Sequence, residues 1–173
     1  PGHASPQTKR PRTDSPPQKA ADLGARVRCP KMPRRTMVDR VNTDRLTANA
    51  VEAAEQSERL TVPEVREPTS LDRMIDQWPS DRPMILCDET GAAGGVPGIA
   101  DALAAAGPEM RQRAGFVIGP EGGFAQEELD RLRSLPFVTA VGLGPRLLRA
   151  DTAALAALAV WQAVAGDWRT STD

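Results

Sequence analysis

The chain has 173 residues, of which 40% are apolar and 26% charged, and its formal net charge is −1. This composition predicts a soluble globular protein whose core is large enough for one domain, with or without a loose arm. No apolar run approaches the roughly 20 residues of a membrane helix, and no signal peptide is visible near Pro1, so we predict a cytoplasmic location. One histidine, His3, and two cysteines, Cys29 and Cys87, argue against a metal site and against histidine-based catalytic pairs.

Charge is distributed unevenly along the chain. Residues 1–45 contain eleven Lys/Arg and four Asp/Glu and carry +7, whereas residues 46–173 carry −8. Residues 1–17 are rich in Pro, Ser and Thr and show no apolar periodicity, which predicts a disordered or extended basic arm. Basic side chains of this arm either contact a polyanion or belong to a solvated tail, and the sequence leaves both readings open.

From residue 18 onward the sequence predicts one domain, residues 18–173, with alternating helices and strands. In chain order we predict a short helix over 18–24, a helix over 43–58, a strand or loop over 61–65, and a helix that Thr69 or Ser70 caps and that runs to Trp78. Buried strands are predicted over 83–87, 114–118 and 137–143, and helices over 99–106, 125–132 and 152–165, with Asp151 or Thr152 capping the last. Strands that alternate with helices predict an α/β fold whose sheet is mostly parallel and covered on both faces.

Two glycine-bearing loops follow predicted strands at the points where helices should begin. One is IGPEGG at 118–123, and the other is LGPRLLR at 143–149. The carboxyl ends of parallel strands collect backbone N–H groups and helix N-termini, and glycine lets a ligand approach the main chain closely. Neither loop has the spacing of the dinucleotide fingerprint or the P-loop, so a nucleoside-like ligand fits better than a triphosphate. The alternative is that these glycines only permit tight turns.

Arg146 and Arg149 flank two leucines in the second glycine loop. This arrangement can bury apolar side chains while it presents guanidinium groups at the same cleft. Arginine binds phosphate and carboxylate well because its fork is planar and always charged. Surface salt bridges to Asp151 or Glu121 are the alternative.

The last predicted helix, residues 152–165, is apolar nearly all round. Such a helix needs cover on most sides, which a single chain of this size supplies only in part. Packing against a second copy through small residues would supply the rest, so we predict a homodimer. A core helix covered by its own sheet is the alternative.

Five segments together closely resemble the RsmE family of ribosomal RNA methyltransferases. They are QKAADLG at 18–24, EAAEQSERLTVPEV at 52–65, LCDE at 86–89, IGPEGGF at 118–124 and LGPRLLRADTAALAAL at 143–158. Members of this family are SPOUT-class enzymes that use S-adenosylmethionine to methylate N3 of a uridine in 16S ribosomal RNA. The resemblance therefore implies this cofactor, and 16S ribosomal RNA or the small ribosomal subunit as the partner.

The resemblance also implies a particular architecture and site. It implies that the C-terminal part of the α/β domain is threaded into a deep trefoil knot, a rare exception to the rule against knots, and that two copies form a dimer. It implies a cofactor held in the knot by three loops. The expected cofactor-binding residues are Leu86, Cys87, Ile118, Gly119, Gly122, Gly123, Leu143, Gly144 and Leu148.

The implied reaction asks uridine N3 to lose a proton and attack the methyl group of a sulfonium. A neighbouring positive charge that stabilises the uridine anion would help this step. Arg149 is the first candidate for that role. Arg146 would hold the loop or an RNA phosphate, and Glu121 would orient a loop or accept a proton through water.

The sequence departs from the family pattern in two respects. Family members begin with a β-barrel RNA-binding domain of the PUA type, and no segment here matches it, so RNA capture is expected to depend on the basic arm and the dimer surface. Ala150-Asp151 stand where threonine and glutamate are common.

A second hypothesis is therefore a truncated or drifted dimeric domain that binds the cofactor but has no methyltransferase activity of its own. A nicotinamide-binding domain is a third hypothesis, which the missing dinucleotide fingerprint opposes.

Overall fold

The computed structural model describes residues 19–20, 23, 25, 27–28, 42–90, 95–120 and 122–169. The basic arm predicted over 1–17, most of the helix predicted over 18–24 and the candidate residue Glu121 lie outside the described residues. The boundary predicted between residues 17 and 18 therefore stays a prediction.

Helices and strands alternate along the described chain. The helices are α1 (Thr43–Gln56), α2 (Leu71–Asp76), α3 (Ile99–Ala105), α4 (Pro108–Arg113), α5 (Gln126–Arg133) and α6 (Ala150–Val164). The strands are β1 (Val27–Arg28), β2 (Glu64–Val65), β3 (Met84–Cys87), β4 (Gly115–Ile118) and β5 (Val138–Val141). The elements predicted between 43 and 165 are present with shifted bounds, and α4, which begins at a proline in its first turn, was not predicted.

The main sheet is parallel and has the strand order β4-β3-β5. Met84 at the start of β3 lies opposite Gly115 and Val138, and Cys87 at its end lies opposite Ile118 and Val141. Because β3 has a strand on each side and helices over both faces, all four of its residues are buried. The predicted parallel sheet is confirmed, and β1 and β2 form a second, two-stranded parallel pair.

Alternate residues of β3 point into two separate cores. Met84 and Leu86 pack in one core with residues of α2 and α5, among them Leu71, Ile75, Leu129 and Leu132. Ile85 and Cys87 pack in the other core with residues of α3 and α6, among them Ile99, Leu103 and Ala157. Side chains of a strand alternate between the two faces of its sheet, so helices cover both faces, as predicted.

Two helix starts test the predicted caps. Ser70 caps α2, since its side chain accepts a hydrogen bond from Arg73 N at 3.2 Å. The predicted start of the last helix is wrong, because α6 begins at Ala150 with Arg149 as its N-cap. Asp151 instead lies in the first turn, where its carboxylate accepts a hydrogen bond from Thr152 N at 2.7 Å. Its negative charge there interacts favourably with the positive end of the helix dipole.

Helix α6 is only partly covered within the single chain. Ala153 and Ala157 are buried, whereas Leu155 and Leu158 are half-buried. At its C-terminal end the buried Gln162 donates to the carbonyl of residue 23 at 2.9 Å and accepts from Asp167 N at 3.0 Å. No helix of the described chain is long and apolar enough to cross a membrane.

Candidate ligand-binding cleft

A cleft of about 410 Å³ opens at the carboxyl ends of β3, β4 and β5. Its walls come from residues 87–89 after β3, residues 118–120 and Phe124 after β4, and residues 143–144 and 146–150 after β5. Ala153 of α6 closes one side. Loops that are far apart in sequence meet here because parallel strands present their carboxyl ends at one edge. The volume lies in the range of roughly 300–1,000 Å³ that is typical of small-ligand sites.

The expected site residues divide between the cleft wall and its surroundings. The cleft is lined by the following expected residues: Cys87, Ile118, Gly119, Leu143, Gly144, Leu148, Arg146 and Arg149. Leu86 is fully buried in the core one residue before the cleft. Gly122 and Gly123 lie in the turn after the second wall, outside the lining.

Seven lining residues were not among the expected site residues, although Pro120 and Leu147 lie within the two predicted loops. They are Asp88, Glu89, Pro120, Phe124, Leu147, Ala150 and Ala153. A signal was available for the two acids, since they directly follow a buried strand within the LCDE segment.

Asp88 is a buried carboxylate at the end of β3, with 3% of its surface exposed. Thr90 donates to Oδ1 from its backbone N–H at 2.9 Å and from its hydroxyl at 2.7 Å. Arg133 of α5 donates to Oδ2 from Nε at 2.9 Å and also from Nη2. Burial alone would raise the pKa of this carboxyl, but the hydrogen bonds from Thr90 and Arg133 outweigh burial and lower the pKa. An ionised Asp88 therefore ties the loop after β3 to the last turn of α5.

Glu89 belongs to the wall that follows β3 and lies next to the wall that follows β4. Gly123 has φ of +71°, in the left-handed region that favours glycine, and its N–H donates to Pro120 O at 2.8 Å to close a turn. A Cβ atom at this position would meet the Glu89 carboxylate, the end of an exposed side chain that can move aside. Glycine at 123 therefore satisfies the turn and leaves room for a carboxylate at the edge of the cleft.

Apolar side chains form the rest of the wall that follows β4 and part of the wall that follows β5. The buried ring of Phe124 packs over Gly119, where a Cβ atom would lie 3.3 Å from the ring. Ile118, Leu143 and Leu148 are half-buried and line the same cavity. These walls suit an apolar or aromatic part of a ligand, with polar recognition left to the loop backbones and the acids.

Arg146, Leu147 and Arg149 form the exposed edge of the cleft. No side chain or carbonyl of the described residues forms an ion pair or hydrogen bond with either arginine. A salt bridge to Asp151, one of the alternatives from the sequence, is thus absent among the described residues, while Glu121 lies outside them. The guanidinium groups remain available for an anionic ligand.

Cys87 contributes a neutral wall to the cleft. Burial raises the pKa of its thiol to about 12, so the thiol stays protonated near neutral pH and is a poor nucleophile. Within the described part of the chain, no three His, Cys, Asp or Glu residues lie together as metal ligands would.

Proteins with a parallel α/β sheet bind nucleoside-like ligands in a crevice at the carboxyl ends of their strands. The cleft here has that position, with apolar walls and acidic side chains at one edge. The chain belongs to the RNA methyltransferase domain family, whose model matches residues 4–162. It is 34% identical over 148 residues to the ribosomal RNA small subunit methyltransferase E of Bacillus subtilis strain 168, covering 82% of this chain and 57% of that protein. The protein of the same name from Rickettsia conorii is 31% identical over 141 residues, covering 81% and 54%. The chain thus spans little more than half the length of these relatives.

Solved structures give the same family. The ribosomal RNA small subunit methyltransferase E of Neisseria gonorrhoeae, bound to S-adenosylmethionine, is 29% identical with a TM-score of 0.73, over 90% of this chain and 62% of that one. A Legionella pneumophila protein in complex with the same cofactor is 30% identical with a TM-score of 0.71, over 90% and 62%. These comparisons confirm the family and the α/β fold that the five segments predicted.

Proposed function

We propose that this chain is a catalytic domain that uses S-adenosylmethionine to methylate N3 of a uridine in 16S ribosomal RNA of the small subunit. The observation that carries the proposal is the cleft, which gathers three loops at the carboxyl ends of β3, β4 and β5 in a chain of the RNA methyltransferase family. The bound cofactor of the Neisseria gonorrhoeae relative supports the choice of ligand.

The cleft residues fit the chemistry of S-adenosylmethionine. Ile118, Phe124 and Leu143 offer apolar walls for the adenine ring. The Glu89 carboxylate can accept hydrogen bonds from ribose hydroxyls, as acidic side chains do at other nucleotide sites, and negative charge near the cleft favours a cationic sulfonium. Gly144 has φ of +99° and open space around it, so a ligand can approach the main chain there.

The protein's own residues divide the work as follows. The cofactor, when bound, supplies an electrophilic methyl group. Arg149 stabilises the uridine anion at the exposed edge of the cleft, and Arg146 holds an RNA phosphate or the loop itself. We retain Glu121 as the residue that orients the loop or accepts a proton through water.

The proposal includes a trefoil knot and a cytoplasmic homodimer. The half-buried Leu155 and Leu158 support a dimer because a second copy would cover the apolar side of α6. The knot is carried by the family resemblance, and a contact between two segments is compatible with it: Gly142, directly after β5, donates to Pro97 O at 2.9 Å and accepts from Ile99 N at 3.1 Å. The segment that follows β5 therefore lies beside the segment that precedes α3.

One series of measurements tests the proposal. Calorimetric titration of the full chain with S-adenosylmethionine should give saturable binding, with S-adenosylhomocysteine as the matched competitor. Small subunits that lack the modification should then accept a labelled methyl group, and nucleoside mass spectrometry should identify N3-methyluridine. Light scattering should give a mass of twice 18.5 kDa.

The outcomes separate the proposal from its alternative. Cofactor binding without methyl transfer would favour a truncated or drifted dimeric domain with no activity of its own. No cofactor binding at all would contradict both.

A further inference from the structure

We propose that Leu147 contacts a nucleobase of the substrate RNA, so that the exposed edge at 146–149 binds RNA through an apolar side chain as well as through charge. The inference rests on the proposed function, since it takes RNA as the substrate. It adds a substrate-binding residue that neither the charge pattern nor the cofactor site required.

The exposure of Leu147 is the first observation. This side chain is 82% exposed although it lines the cleft, while the neighbouring Leu148 is half-buried. A single exposed leucine is common on protein surfaces and means little by itself. Its position gives it meaning, because it lies at the exposed edge of the cleft between Arg146 and Arg149.

The charges beside Leu147 select the kind of partner. Arg146 and Arg149 have no ion-pair partner among the described residues. Four other described arginines form ion pairs with acids: Arg66 with Glu64, Arg113 with Asp81, Arg131 with Asp72 and Arg133 with Asp88. Two guanidinium groups that have no partner among the described residues lie three positions apart with an apolar side chain between them. This arrangement matches a polyanion that also presents flat apolar faces. A single-stranded nucleic acid has both features.

The two kinds of side chain would recognise different parts of the RNA. Guanidinium groups bind phosphates whatever the sequence, and they set position and salt dependence. An apolar side chain gains only from the face of a base, because phosphate and sugar offer it little apolar surface. Leu147 would therefore discriminate between RNA and a polyanion that carries no bases.

This difference defines the experiment. Binding of the full chain, saturated with S-adenosylmethionine, is measured by competition against one labelled oligouridine, using unlabelled oligouridine and inorganic polyphosphate of matched charge as competitors. Leu147→Ala should weaken oligouridine binding about fivefold to tenfold, as the loss of a partly buried leucine contact would, and leave polyphosphate binding unchanged. Arg146→Ala should weaken both ligands and lower the salt slope by about one unit.

Two further variants serve as controls. Leu147→Met keeps an apolar side chain and should retain most of the oligouridine affinity. Leu60→Ala removes a leucine that is 102% exposed and does not line the cleft, and it should leave both affinities unchanged.

Several results would overturn the inference. An equal loss of both ligands in Leu147→Ala would make the effect electrostatic or structural. A loss of cofactor affinity by calorimetry would assign Leu147 to the cofactor wall, and a change of mass in light scattering would assign it to an interface between copies. Absence of oligouridine binding by the unaltered chain would also reject it. A chain that binds the oligonucleotide but transfers no methyl group would contradict the proposed function and still leave the role of Leu147 measurable.

Discussion

The edge of the cleft after β3 and the edge at 146–149 both carry charged side chains, but they use charge differently. Asp88 is buried and receives donors from both Thr90 and Arg133. Arg146 and Arg149 are exposed and have no partner among the described residues. A buried charge without partners is costly, so the inner charge is committed to the fold, whereas the outer charges can be kept for a ligand.

The largest expected effect is at the edge formed by residues 146–149. Arg149→Ala should lower the rate of methyl transfer about 10²–10³-fold, the usual loss when a group that stabilises developing negative charge is removed. Cofactor affinity and thermal stability should stay unchanged, because no described residue forms an ion pair or a side-chain hydrogen bond with the guanidinium of Arg149. Single-turnover kinetics with saturating cofactor measures the rate, and Arg149→Lys tests whether charge alone suffices. A variant that binds the cofactor and still methylates at full rate removes Arg149 from the mechanism.

The second-largest expected effect is at the edge after β3, where Asp88 pairs with Arg133. Arg133→Leu leaves the Asp88 carboxylate buried without its cation, which should cost about 3 kcal/mol of unfolding free energy and also weaken cofactor binding. Arg131→Leu, two residues away, is the matched control, since Arg131 bridges Asp72 and Asp76 with its side chain 43% exposed and should cost about 1 kcal/mol or less. Urea unfolding measures both. Equal losses would mean that Asp88 does not anchor the loop.

The inner pair should also appear in the pH dependence of stability. The pKa of Asp88 is lowered in the folded chain below its ordinary value of 3.8. Its contribution is therefore complete above that ordinary pKa and disappears as the pH falls through the folded-state pKa. The difference in unfolding free energy between the unaltered chain and Asp88→Asn should stay constant above about pH 5 and shrink as the pH falls from about 5 to about 3. A difference that stays constant over this range would refute the linkage.

The smallest expected effect lies between the two edges. Gly123→Ala forces a side chain into a left-handed conformation and against Glu89, which should cost about 1–2 kcal/mol and lower cofactor affinity. Gly122→Ala is the control, because a Cβ atom there meets open space and the residue has no positive φ. Thermal unfolding compares them, and equal shifts would show that the conformation of Gly123 has no special cost.

Much of the fold and part of the cleft could be predicted from local patterns. The apolar runs of β3 and β4 predicted buried strands, and glycines after strand ends predicted the cleft, because strand burial and close backbone approach leave marks in adjacent residues. Arg146 and Arg149 were found the same way, since both lie in one of those loops. Asp88 and Glu89 lay within a recognised segment, but nothing local distinguished the buried acid from the exposed one.

The sequence by itself determined which strands are buried, which loops end them and to which family the chain belongs. The tertiary structure alone decided that Asp88 pairs with Arg133, 45 residues away, that Glu89 lies against Gly123 and that Leu147 remains exposed. Strand burial and turns follow from a residue and its near neighbours, whereas these contacts depend on the order of strands and on how the helices cross the sheet. That order brings the three loops to one edge. There the buried Asp88 is paired with Arg133 on one side of the cleft, and Arg146 and Arg149 are exposed on the other.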